Sequence, residues 1–340
     1  MLDIHISTIG RRHLGIDMAL PDFFLIGAPK AGTSALHAAL ARHPQLFMSP
    51  VKEPKYFLCD GPPPREGGPG DSHSYREWIW RRGDYERLFD AAPATALRGD
   101  STPFYLADAD AQERIRRVVP DAKLVAILRD PVDRAYSNWA HLWADGLETV
   151  EDFVTACERE PRRIEQGWAP FWRYLSTGLY GRQLAHLYSM FPKDNVHLIR
   201  YKWLVDEPQE TLNAVCRFLG VQEDVVSHVP AQNVGTYVAP STYNRVLRSI
   251  FRGGASLGSL FPPQVWRKAS VPLLWLIQRT PQHRPELPEA ERARLVGYFE
   301  DDVRLLEQLT GWDLGDWLTY RAAGTYSVRN SWAPSRRVVS

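Results

Sequence analysis

Hydrophobic and polar positions alternate in two rhythms along this chain. Apolar runs bounded by turn residues recur at "DFFLIG" (22–27), "KLVAILR" (123–129) and "NVHLIRY" (195–201), with a shorter one in "ALRGD" near Leu97. Short unbroken runs of this kind read as buried strands. Between them the spacing predicts helices over 33–42, 108–119, 131–144, 173–191 and 208–219, the last closed by Gly220. An acidic amphipathic helix is expected from about Pro288 to Leu309. Strand alternating with helix predicts an α/β fold of three layers, a central parallel sheet flanked by helices, with ligands at the carboxyl ends of the strands.

Two stretches break the rhythm. "DGPPPREGGPG" from Asp60 is a surface loop, because sheet-forming elements continue beyond it. Val225 to Pro285 holds no Asp or Glu but carries Arg245, Arg248, Arg252, Arg267, Lys268 and Arg279 among bulky apolar residues. That composition suits an anionic membrane surface or a lid over an amphiphilic acceptor, and equally an apolar insertion with arginines reaching outward. The expected organisation is an arm over 1–21, one domain over 22–320 with the basic apolar insertion 241–283, and a tail over 321–340.

Composition narrows the function classes. The chain of 340 residues has a formal net charge of +1, so no global field gathers nucleic acid and any anion site must be local. Three scattered cysteines, Cys59, Cys157 and Cys216, argue against a disulfide framework or a zinc cluster. A reducing, cytoplasmic setting is expected, with peripheral membrane contact through 241–283. No secretory pattern opens the sequence, and its longest apolar run, "VPLLWLI" from Val271, falls far short of the ~20 residues that cross a bilayer.

The first strand runs into Gly27-Ala28-Pro29-Lys30-Ala31-Gly32, and Thr33 and Ser34 open the next helix. The G-x-x-x-x-G length is that of a P-loop, and amides at a helix start favour phosphate. A Walker loop, however, places its lysine directly after the second glycine. Here Lys30 takes the cationic position inside the turn. Of seven lysines in the chain, Lys30, Lys52 and Lys55 fall within 30–55, the last two flanking Glu53 in "SPVKEPKYF".

With "GAPKAGT", "KEPKYF", "GDSTPFY" and "ILRDPVDRAYSNW" in this order, followed by "LYGRQLAHLYSMFP", "VHLIRYKWL" and "RLLEQLTGWDL", the sequence resembles the sulfotransferases that use 3′-phosphoadenosine 5′-phosphosulfate (PAPS). The likeness is strongest to the branch of the heparan sulfate sulfotransferases and their bacterial relatives. It covers about Asp22 to Trp317 without 241–283, and implies a P-loop-like fold.

The resemblance implies donor binding by Ala28, Pro29, Lys30, Ala31, Gly32, Thr33 and Ser34 around the 5′-phosphosulfate, and by Arg129 and Ser137 at the 3′-phosphate. Lys30 would stabilise the leaving phosphate and Glu53 would be the base. An acceptor hydroxyl has a high pKa, and a carboxylate between cations suits its deprotonation. Lys55 would touch the sulfonate, and Ser101 and Thr102 would line the acceptor pocket. No metal is required, because the transferred group carries less negative charge than a γ-phosphoryl. The acceptor would be a hydroxyl of a small molecule, a glycan or a lipid-linked compound.

Each residue also has a plainer reading. Glu53 and Lys55 suit a solvated surface, Arg129 an ion pair with Asp130 or Asp133, Ser101 and Thr102 a strand-end turn. Arg134 reads as a surface or supporting residue, and His37, His43 and His141 as core or surface residues. The chain departs from the family twice. Ser101 stands where heparan-modifying members often have a lysine, and the late lysine-glycine-arginine loop is absent, so a segment within Gly235 to Arg284 is expected to replace it. The rival readings are a P-loop kinase-like phosphotransferase with Asp130 closing a Walker B imitation, and a non-catalytic nucleotide-binding module that docks on membranes.

Overall fold

Five segments pair into one parallel sheet. In the computed structural model they are β1 (Phe23–Gly27), β2 (Leu46–Met48), β3 (Leu97–Ser101), β4 (Lys123–Leu128) and β5 (Val196–Arg200), in the order β2-β3-β1-β4-β5. The structure describes residues 19–226, Val229 and 286–319. The expected insertion 241–283 and tail 321–340, and all of the arm but its last residues, lie outside the described residues.

β1 is buried along its whole length, as a strand covered on both faces must be. It pairs with β3 through Phe23 and Gly99, and with β4 through Leu25 and Val125. The chain leaves β1 toward β2 on one side, and β4 leads to β5 on the other. Their carboxyl ends therefore part and open a crevice between them.

The helices are α1 (Thr33–Leu40), α2 (Asp71–Tyr75), α3 (Arg82–Glu86), α4 (Ala109–Val118), α5 (Pro131–Ala144), α6 (Phe153–Glu158), α7 (Glu160–Glu165), α8 (Tyr180–Met190), α9 (Tyr201–Asp206), α10 (Pro208–Leu219), α11 (Glu289–Thr310) and α12 (Gly315–Leu318). Local chemistry sets their ends. Asp108 caps α4 by accepting the Ala111 amide at 2.7 Å, and Gly220 and Gly311 close α10 and α11 in the left-handed conformation.

The helix expected over 173–191 is corrected by the structure. Its first seven residues instead hold a short 3-10 turn, Ser176–Gly178, and α8 begins at Tyr180. Buried Glu160 explains the difference, because its carboxylate accepts the Ser176 amide at 2.9 Å and fixes a turn there. The segment "KEPKYF" lies outside the sheet: β2 stops at Met48, and Tyr56–Leu58 is a 3-10 turn.

The closing helix α11 packs on α8 at backbone distance. A Cβ on Gly181 would run into the Asp302 carbonyl, and the Asp302 carboxylate accepts the amides of Gly181 at 2.8 Å and Arg182 at 3.0 Å. Among the described residues no helix is long and apolar enough to cross a membrane.

Candidate active site

The loop leaving β1 folds back on itself. Lys30 has φ 67° and Gly32 φ 91°, and the Ala31 amide returns to the Ala28 carbonyl at 3.2 Å. Gly32 is required twice over, since its backbone is left-handed and an added Cβ would lie 3.0 Å from Leu204 and 3.2 Å from the Tyr201 ring. α1 then starts at Thr33 with no side-chain cap. The Ala35 amide donates to the Gly32 carbonyl at 3.0 Å, and the dipole of this helix start favours an anion beside the loop.

Arg129, one residue past β4, reaches across the crevice. Its guanidinium donates to the Lys30 carbonyl at 3.1 Å and lies over the Tyr201 ring at 4.8 Å. Asp130 and Asp133, its alternative partners, are bound elsewhere. Asp130 caps α5 by accepting the amides of Val132 at 2.9 Å and Asp133 at 3.1 Å. Arg292 of α11 pairs with both carboxylates. Burial, with Asp133 adding to it and Arg292 opposing it, pushes Asp130 up to about 6.

Lys30 is lowered to about 8, first by burial, against the pull of Asp145, with Arg129 and Lys52 lowering it and Glu53 raising it. The loop lysine therefore shares one electrostatic neighbourhood with Glu53, Lys52, Arg129 and Asp145. Lys52 pairs with Glu53 at 2.6 Å, both side chains about a quarter exposed. Lys55 is lowered too, chiefly by burial, and its ammonium lies 5.7 Å from the Trp78 ring.

Glu53 and Lys55 have φ of 61° and 62°. Such conformations are uncommon outside glycine and cost on the order of 1–3 kcal/mol each, so they persist only where the surroundings hold them. The Glu53 amide donates to the Ser101 carbonyl at 3.0 Å, and the Lys55 amide to the Thr102 hydroxyl at 3.4 Å. Ser101 and Thr102 are themselves fully buried. Thr102 donates to Asp100 at 2.8 Å.

Ser137 is half-buried on α5, one and two turns from His141 and Asp145 on the same helix stripe. His141 faces Asp145 at 3.5 Å and meets the edge of Phe171. Its pKa is lowered by burial, opposed by Asp145, with Lys30 lowering it further. Of the two readings of Arg134, surface or supporting residue, the first is corrected: it is fully buried and donates to the Tyr174 carbonyl.

Two neighbours of Glu53 and Lys30 were not expected there: His37, read as a core or surface residue, and Asp145, which was not singled out. His37 on α1 is lowered to about 4 by burial and Lys52, with Glu53 opposing, so it stands neutral beside the carboxylate. Asp145 had no signal of its own. Only its spacing of eight from Ser137 on a helix could have brought it forward. His43, by contrast, is a core residue as expected, buried and bonded to the Gln222 carbonyl at 2.8 Å.

The assembled groups are an uncapped helix start, a loop ammonium, a bridging guanidinium and a carboxylate on the far side. They can hold a dianionic leaving group and accept a proton within one crevice.

The sulfotransferase family profile matches residues 21–224. Mouse heparan sulfate glucosamine 3-O-sulfotransferase 6 is 25% identical over 300 residues, covering 87% of this chain and 73% of the mouse protein. Human bifunctional heparan sulfate N-deacetylase/N-sulfotransferase 3 is 29% identical over 207 residues, 59% of this chain but only 22% of that protein. The crystal structure of a sulfotransferase from Alicyclobacillus acidocaldarius superposes with a TM-score of 0.69 at 29% identity, covering 88% of this chain and all of the other.

Proposed function

The chain belongs to the sulfotransferase family, and from that premise we propose that it moves a sulfuryl group from PAPS to a hydroxyl of a small-molecule, glycan or lipid-linked acceptor. The observation that carries this reading is the meeting of Lys30 and Arg129 across the crevice between β1 and β4, joined at 3.1 Å, with Glu53 among the charges acting on Lys30.

PAPS supplies an activated sulfuryl group on a phosphate leaving group. The loop Ala28 to Gly32 and the start of α1 at Thr33 and Ser34 receive the 5′-phosphosulfate, and Arg129 and Ser137 the 3′-phosphate. Lys30 neutralises the charge that grows on the departing phosphate as the bond to sulfur breaks. Glu53 takes the acceptor's proton as the new O–S bond forms, and Lys55 steadies the sulfonate oxygens. Positioning and charge stabilisation do most of the work, as in phosphoryl transfer. Relatives named for 3-O- and N-sulfation leave amine acceptors within the same proposal.

Glu53→Gln tests the assignment. It should lower kcat by about 10²–10⁴-fold while largely sparing affinity for adenosine 3′,5′-bisphosphate measured by calorimetry. Full turnover in this variant would rule Glu53 out as the base. The kinase reading gains nothing from Asp130, whose carboxylate is engaged by α5 amides and Arg292. EDTA separates the two readings: the sulfotransferase should keep its rate, whereas a magnesium-dependent kinase would lose it.

The acid-free segment 241–283 belongs to the proposal as a platform for a hydrophobic or lipid-linked acceptor. Its deletion should reduce co-sedimentation with anionic liposomes, and equal partitioning would remove the platform.

A further inference from the structure

The next-to-last residue of β3 is a carboxylate that packing alone does not call for. Asp100 is fully buried, in a core where Tyr85 stacks on Tyr56 and meets the edge of Phe57. Three hydroxyls surround it. Tyr85 donates to Oδ2 at 2.7 Å, Tyr105 to the same oxygen at 3.1 Å, and Thr102 to Oδ1 at 2.8 Å. Donors are what make a buried carboxylate tolerable.

Those donors are acceptors in their turn. The Thr102 hydroxyl receives the Lys55 amide at 3.4 Å, and the Tyr105 hydroxyl receives the Phe57 amide at 3.4 Å. Between them, the Ser101 carbonyl receives the Glu53 amide at 3.0 Å. Alternate residues 53, 55 and 57 of the crossing segment thus hang on the end of β3 and the residues just after it, and two of the three attachments lead to Asp100. Glu53 and Lys55 are also the residues held at positive φ, the conformation that most needs an external hold.

We propose that Asp100 is a positioning residue for sulfuryl transfer: through Thr102 and Tyr105 it fixes the turn that presents Glu53 and Lys55 to the donor and acceptor. This rests on Glu53 being the base. It also gives the strand-end hydroxyl of Thr102 a different task from contact with the acceptor. Without the Thr102 link the Lys55 amide loses its acceptor and the turn can relax, and a shift of about 1 Å at a reacting group is enough to cost ~100-fold. Lys30 and Arg129 lie in the loops after two other strands, β1 and β4, and keep their places.

Thr102→Val, Thr102→Ser and Asp100→Asn are to be purified, checked by thermal melting, and compared in kcat, KM for PAPS and Kd for adenosine 3′,5′-bisphosphate. Thr102→Val should lower kcat by about 10- to 100-fold with KM and Kd little changed, and Thr102→Ser should restore the rate, because loss of a group acting at the reaction step alone falls on kcat. Asp100→Asn should follow Thr102→Val. If it does not fold, the Thr102 pair decides.

A wild-type kcat in folded Thr102→Val overturns the proposal, as does a loss that falls equally on bisphosphate affinity. Glu53→Gln run alongside separates the two readings. Its full turnover overturns the base assignment, whereas a slow Glu53→Gln beside a fast Thr102→Val overturns only the role of Asp100.

Discussion

Lys30 shows how one side chain can be tuned by the turn that carries it. Burial draws it down to about 8 against the pull of Asp145, while Arg129 lowers it further and Glu53 raises it. The free enzyme therefore holds the ammonium below about pH 8 and loses it above. If that ammonium stabilises the leaving phosphate, kcat/KM should fall on an alkaline limb near pH 8. The limb of kcat should lie higher, because bound phosphate favours the charged form. Asp145→Asn removes the carboxylate that most favours the ammonium and should move the kcat/KM limb to lower pH. A limb that stays put would mean that another group titrates. Lys30→Ala should cost about 10²–10³-fold in kcat, the scale of one charge-stabilising donor.

At the scale of elements, the contact between α8 and α11 is the most exacting. Gly181 leaves no room for a methyl group against the Asp302 backbone, so Gly181→Ala should destabilise the protein by about 1–3 kcal/mol. A lower midpoint in urea unfolding at unchanged slope would register it. The strand-helix alternation was legible because β1 and β4 are uninterrupted apolar runs, and α5 and α10 keep a helical spacing from their proline starts to their ends. β2 was not, since three residues give too little pattern. The start of α8 was misplaced because the turn at Ser176 depends on Glu160, a long-range partner that no local spacing reveals. The loop from Gly27 to Gly32 announced itself through its glycines, and Arg129 through the strand before it. Asp145 and Asp100 did not, because their importance lies in who stands next to them across the fold.

For the molecule as a whole, the proposed donor site draws on the loops after β1 and β4, on α1 and on the turn after β2, so a ligand bound there would tie together segments distant in sequence. Adenosine 3′,5′-bisphosphate at about 100 times its Kd should stabilise the protein by ~2.7 kcal/mol, read as a rise in melting temperature. Arg129→Ala should abolish most of that rise by taking away the guanidinium that spans the crevice. A rise of equal size in the variant would place the nucleotide elsewhere.

The clasp of Arg292 on Asp130 and Asp133 has a consequence for biosynthesis. A ribosome delivers β4 and the start of α5 long before it delivers α11, and until then the Asp130 carboxylate lacks its counter-charge. The nascent protein can lay down its sheet early, but the start of α5 behind Arg129 gains its ion pairs only from a late arrival at the other end of the message, so premature termination before 286 would yield a chain with its strands in hand and that helix start unclasped.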